Sequence, residues 1–303
     1  MGAGHSHASA AQRNRGSLVL AFGLGLSILV VQLVGAFVSG SLALLADAVH
    51  VFADVFGVGL ALIAVSVANR PTKPRRTFGL YRLEILATVF NGLLLLGLSI
   101  YILIEAYDRW FHPSEINAPV MIAAAAYGLV ANAVAVTKLR SGSKESLTLR
   151  GAYLEMLADA IGSAGVIIAG VIVLTTGWTR ADSLVSVGIA LFIVPRTLLL
   201  LRDSLGVLME NAPPGLDLDE VRRHMLGVQG VVAVHDLHAW TITSGMASLS
   251  AHVEVEPDPY DDGAGAEVLG RLGVCLLDCF EISHTTFQLE SVAHAEGEEG
   301  RHP

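Results

Sequence analysis

Six apolar runs, at roughly residues 18–38, 42–68, 83–107, 119–139, 152–175 and 183–204, fill the first two thirds of the chain. Each is close to the ~20 residues that cross about 30 Å of hydrocarbon. Polar connections separate them: SGS, NRPTKPRRTFGLYR, DRWFHPSEINA, KLRSGSKESLTLR and GWTRA. After Glu210 the pattern changes. DLDEVRRHMLGV has the period of an amphipathic helix, VVAVHDLHAWTIT and MASLSAHVEVE alternate as strands around a Ser-Gly turn, EVLGRLGVCLLDCF returns to helix, and HTTFQLESV alternates again. The chain therefore reads as an α-helical membrane protein of six transmembrane helices followed by a small α+β domain of order α-β-β-α-β, ferredoxin-like in outline. The implied segments are a flexible tail at 1–16, the membrane domain at 17–209, the α+β domain at 210–292 and an acidic tail at 293–303.

Composition agrees, since 53% hydrophobic and 16% charged residues are too apolar for an ordinary soluble enzyme. Charge is unevenly placed. Residues 1–209 hold 15 Lys+Arg against 11 Asp+Glu, net +4, whereas 210–303 hold 4 against 17, net −13. An acidic terminal domain excludes nucleic acid as a partner and suits cations. Thirteen Lys and Arg residues fall on one side of the six-span topology, against Arg109 and Arg180 on the other. Positive residues stay inside, so both termini and the α+β domain are expected in the cytoplasm of a multi-pass protein of a bacterial inner or plasma membrane, with Trp110 and Trp178 at the outer interface. The first apolar run lacks a small-residue cleavage pattern, so no cleaved signal is expected. Cys275 and Cys279 are read as small core hydrophobes, and His5 and His7 as part of a solvated tail.

The chemistry lies in HVFAD, where His50 and Asp54 are four apart and share a helix face inside the second apolar run. A charged side chain at mid-bilayer costs roughly 2.5–3.5 kcal/mol on insertion scales and needs a partner. Glu155 and Asp159, again four apart, provide one in the fifth run. At ~1.5 Å per residue the two pairs enter from opposite faces and meet near the midplane. One imidazole and three carboxylates cannot sit in hydrocarbon without a cation or protons, so the set is read as an intramembrane divalent-metal site. Asp47, one turn earlier, is either an entry carboxylate or a packing hydrogen bond to Ser39 or Ser41. Glu84, Asn91, Glu105 and Asn132 are read as cross-helix hydrogen-bonding groups. In the terminal domain, alternation places His252 and His284 on polar sheet faces with metal-binding potential, and gives His235 and His238 opposite faces.

SGSLALLADAVHVFAD, GLYRLEILATVFNG, LRGAYLEMLADAIGS, VHDLHAWTITSGMASLSAHV and ISHTTFQLE together resemble, in order and over nearly the whole chain, the signatures of the cation diffusion facilitator family. The resemblance implies export of zinc or a similar divalent ion from the cytoplasm in exchange for protons by alternating access. It also implies a homodimer in the lipid bilayer and a metallochaperone-like cytoplasmic domain carrying structural or regulatory Zn²⁺. Carried over, the transport site is His50, Asp54, Glu155 and Asp159, and the cytoplasmic site draws on His235, His252, His284 and Glu290. The zinc branch that this chain resembles has His where this chain has Glu155, and a site richer in oxygen suits harder ions such as Mn²⁺. No GxxxxGK[ST] loop is present to drive ATP-powered pumping. The competing readings are an intramembrane metal-dependent hydrolase, for which no HExxH is present, and a membrane metal sensor, for which no effector domain is evident.

Overall fold

The computed structural model describes residues 15–68, 78–139, 147–243, 245–256 and 264–295. His5, His7 and most of the inter-helix basic residues lie outside them. The chain forms two compact units, residues 1–80 with 87–201, and residues 81–86 with 202–303.

Six long helices build the first: α1 (Arg15–Ser39), α2 (Leu42–Ala68), α3 (Arg82–Phe111), α4 (Ala118–Leu139), α5 (Leu147–Thr176) and α6 (Arg180–Leu208). Among the described residues, five are long and apolar enough, by length and composition alone, to cross a membrane, and α2, with 27 residues, is the helix that carries His50 and Asp54. Large apolar side chains such as Phe37, Phe90, Ile161 and Phe192 face outward, as a hydrocarbon solvent requires.

The interior is packed with small residues. Ala36 of α1, Ala43 of α2, Ala124 and Ala125 of α4, and Val166 and Ala169 of α5 form one buried cluster, while Ala46 and Val49 of α2 pack on Leu95 and Ile102 of α3 and on Ala190 of α6. At Gly35, α1 and α4 approach so closely that an added Cβ would lie 2.5 Å from Cβ of Ala124. Lipid tails are as apolar as leucine, so close backbone approach and buried hydrogen bonds, rather than hydrophobic collapse, hold such helices together.

The start of α2 is fixed by a residue far away in sequence. Asp182, in the first turn of α6 and wholly buried, accepts the Leu42 amide at 2.8 Å, the Ala43 amide at 3.1 Å and the Ser41 hydroxyl at 2.6 Å. It therefore takes two of the amides that a helix start leaves without partners, and places negative charge at the positive end of the helix dipole. Gly40, at φ +70°, turns the chain between α1 and α2, and its carbonyl accepts Nη1 of Arg109 at 2.6 Å. Within α6, Pro195 supplies no amide to the Leu191 carbonyl.

The second unit follows the expected order: α7 (Leu218–Leu226), β1 (Val231–Thr243), β2 (Met246–Val255), α8 (Ala264–Phe280), β3 (His284–Ser291) and a short α9 (Val292–Ala295). Asp217 caps α7 by accepting the Asp219 amide. The sheet order is β1-β2-β3, with β1 and β2 antiparallel and β2 and β3 parallel. Leu249, Ala251, Val253 and Val255 of β2 pack against Val221 and Met225 of α7 and Val268, Leu272 and Leu276 of α8. This leaves the opposite face of the sheet for polar chemistry. Glu84, in the segment that belongs to this unit, accepts the Thr243 hydroxyl at 2.7 Å. Cys275 is half-buried, with its thiol pushed up by burial and by neighbouring Cys279 and Asp278, whereas Cys279 is exposed, so the second cysteine is not the core residue its sequence context suggests.

Candidate metal centres

His50 and Asp54 project from one face of α2 and meet Asp159 of α5. Ligand atoms of all three lie within 4.8 Å of one another, and Nε2 of His50 is 3.1 Å from Oδ1 of Asp159. One ion held at the usual ~2.0–2.2 Å from imidazole nitrogen and carboxylate oxygen fits such a triangle. Nε2 of His50, Oδ2 of Asp54 and Oδ1 of Asp159 are buried, and none has a hydrogen-bond partner outside the triangle. Buried polar atoms are costly when left so, and three converging on one point form a nest that a cation completes. The His50 ring is held edge-on by Phe192 of α6, with centroids 6.4 Å apart.

Glu155 is not in this triangle. Its Oε1 is 2.6 Å from Nη2 of Arg196 on α6. Arg196 is one of the thirteen residues on the cytoplasmic side of the charge count, yet an arginine well inside the apolar run 183–204 is itself the signal that a carboxylate partner lies at the same depth.

Asp47 is wholly buried one turn from His50, and it turns away from Ser39 and Ser41. Its Oδ2 accepts Nε2 of Gln32 at 2.6 Å and the Ser163 hydroxyl at 2.9 Å. The serines are claimed elsewhere, since the Ser41 hydroxyl donates to Asp182 and Oγ of Ser39 accepts the Ser41 amide. Gly162 allows this approach of α5, because a Cβ there would lie 3.0 Å from Oδ1 of Asp47. A second rung between α2 and α5, Asp47 to Ser163, thus lies one turn from the rung of His50 to Asp159.

The terminal domain contains a second cluster. His235 and His252 face each other across β1 and β2, with ring centroids 5.2 Å apart. Glu290 reaches in from β3, with Oε1 2.8 Å from Nδ1 of His252 and Oε2 3.3 Å from Nε2 of His235. Asp236 and Glu254, which the sequence did not single out, border it at 3.5 and 3.7 Å from His235. Two imidazoles among carboxylates match the donor set that zinc-like ions prefer.

Register keeps His284 out. It lies opposite Ser248, while His252 lies opposite Gln288, which puts His284 four residues, or about 13 Å, along the sheet from the cluster. The alternation that set His235 and His238 on opposite faces also fails. A bulge at Asp236, with φ +46°, resets the parity, so His235 pairs with His252 and His238 with Ser250 on the same sheet face. Aspartate tolerates this left-handed conformation better than most side chains, which is the one sequence hint of the bulge.

Comparison with known proteins agrees with both halves. Residues 18–209 match the model of the cation efflux transmembrane domain, and residues 213–292 that of the cation efflux cytoplasmic domain. The chain is 43% identical, over 100% of its own length and 94% of the relative's, to the metal cation efflux system protein CzcD of Cupriavidus metallidurans. It is 38% identical, over 94% and 91%, to the zinc transporter ZitB of Escherichia coli. It is 35% identical, over 96% and 93%, to a cadmium, cobalt and zinc/H(+)-K(+) antiporter of Bacillus subtilis. Among solved structures, the metal-bound C-terminal domain of the CzcD transporter matches at 43% identity over 25% of this chain and 99% of that one, with a TM-score of 0.23.

Proposed function

The chain belongs to the cation diffusion facilitator family, and from that premise we propose that it moves divalent transition-metal ions, zinc foremost, out of the cytoplasm in exchange for protons. The observation that carries the reading is the triangle of His50, Asp54 and Asp159, buried between two apolar helices with no hydrogen-bond partner for its ligand atoms outside it. A membrane protein gains nothing by keeping such a set empty of cations, and an ion bound there by few ligands can also leave. Protons compete with the ion for the same lone pairs. Protonation from the outer side weakens the site and releases the ion, and deprotonation toward the cytoplasm restores it. Membership in a family of transporters also sets aside the hydrolase reading.

The decisive measurement is metal uptake into proteoliposomes under an imposed pH gradient. We expect Asp54→Ala or Asp159→Ala to abolish flux while the purified protein keeps its oligomeric state, and near-normal flux in either would refute the site. Glu155 stands beside the triangle on Arg196, and a histidine in its place gives up that pairing and offers the ion a second imidazole nitrogen. Glu155→His should therefore move the ranking toward Zn²⁺ relative to Mn²⁺ with coupling retained.

We assign the cluster of His235, His252 and Glu290 as a cytoplasmic zinc site that fixes the geometry of a homodimer rather than lying on the transport path. In the full chain with Asp54→Ala, which silences the membrane site, adding His252→Ala should remove high-affinity Zn²⁺ binding, whereas adding His284→Ala should leave it unchanged. Loss of binding with His284→Ala would place the site elsewhere on the sheet.

A further inference from the structure

The pairing of Glu155 with Arg196 has a meaning beyond neutralising an arginine in an apolar helix. Glu155 lies four residues before Asp159 and therefore on the same face of α5, yet it stands outside the triangle in which His50, Asp54 and Asp159 converge. What keeps it there is visible: Nη2 of Arg196 lies 2.6 Å from its Oε1.

We propose that Arg196 is a specificity-determining residue, a resident counter-cation that holds Glu155 back from the ion site and so decides whether the ion meets two carboxylates or three. The inference rests on the reading of His50, Asp54 and Asp159 as the transport site. With Glu155 bound to Arg196, an entering ion finds one imidazole nitrogen and two carboxylates, a set suited to Zn²⁺. Recruiting Glu155 breaks a charge-assisted hydrogen bond and leaves Arg196 without its anion, which opposes the added ligand. Without Arg196 nothing opposes it, and the site becomes a three-carboxylate site suited to harder ions. This accounts for how a chain with glutamate at this position can keep a zinc-like preference.

The fork geometry matters as well as the charge. Arginine presents planar, paired donors, whereas a lysine ammonium is a compact point charge on a flexible stem. Arg196→Lys should therefore release Glu155 in part, and Arg196→Gln fully.

The test uses the full-length protein in proteoliposomes, with Zn²⁺ and Mn²⁺ as probes and KM separated from maximal rate. Wild type, Arg196→Gln, Arg196→Lys, Glu155→Gln and the double variant Arg196→Gln with Glu155→Gln are compared, with Asp54→Ala as control. We expect Arg196→Gln to lower KM for Mn²⁺ by about tenfold, within the range typical of coupled sites, with a smaller change for Zn²⁺. In the Glu155→Gln background the same substitution should change KM by less than about twofold, because the coupling runs through Glu155. Arg196→Lys should fall between, and it carries the test should Arg196→Gln not fold. An equal KM shift for both metals in both backgrounds would mean that Arg196 acts only through its field, and overturns the proposal. So would an unchanged KM and metal ranking in both Arg196 variants. If Asp54→Ala itself transports, it is the transport-site reading that fails, and the two failures are distinguishable.

Discussion

Asp182 is the residue whose role is least visible in the sequence and most direct in the structure. Read along the chain it is one acidic residue at the start of a helix, as favoured by the dipole of its own α6, yet its carboxylate serves the start of α2. Losing a capping carboxylate typically costs about 0.5–2 kcal/mol, and here it also loosens the helix that carries His50 and Asp54. We expect Asp182→Ala to lower thermal stability and raise KM for Zn²⁺, and Asp182→Asn, which keeps one accepting oxygen but turns an NH2 donor toward the remaining amide, to recover only part of either; full recovery in Asp182→Asn would show that a single accepted amide suffices. His50, Asp54 and Asp159 were legible because ionisable groups at helical spacing stand out against apolar surroundings. Arg196 and Gln32 were not. The first was absorbed into a tally of positive residues, and a lone amide such as Gln32 gives no hint of which helix it will meet.

At the scale of elements, the six helices and the order α-β-β-α-β could be read from periodicity because length and alternation are local properties. Which helices touch is not local. The approach of α1 to α4 depends on Gly35 standing opposite Ala124, and the Cβ of an alanine there, 2.5 Å from its neighbour, has no rotamer by which to escape. Overpacking of this kind costs about 1–3 kcal/mol, so Gly35→Ala should lower the melting temperature of the purified protein, with partial recovery in the pair Gly35→Ala, Ala124→Gly. The bulge in β1 teaches the same lesson for sheets. One extra residue at Asp236 reverses the facing assignments from His238 to Thr241, until a second irregularity before Thr243 shifts the register again, and period-2 reasoning has no means of seeing either.

For the whole molecule, the two units hold two donor sets of different kinds. The membrane set draws on two helices and offers three donors, as suits an ion that must leave. The set in the terminal domain draws on three strands, and its Glu290, wholly buried, is also held by Nε2 of Gln288 at 2.8 Å, as suits an ion that stays. We therefore expect chelation to strip the membrane site first. After brief dialysis against EDTA, about one Zn²⁺ per chain should remain, and it should vanish with His252→Ala.

The capping of α2 by α6 also has a consequence in time. Leu42 and Asp182 are 140 residues apart. At the usual ~5–20 residues per second of synthesis, α2 waits roughly 7–28 s after emerging from the ribosome before the carboxylate that anchors its first turn even exists. During that interval its start is held by its own loop and by Arg109 of α3 on the Gly40 carbonyl. A chain interrupted before α6 inserts has both ligands of α2 in place and α2 already held at Asp47 by Gln32 and Ser163, but its first turn is still uncapped, so the last span to be laid down completes the start of the helix that carries His50 and Asp54.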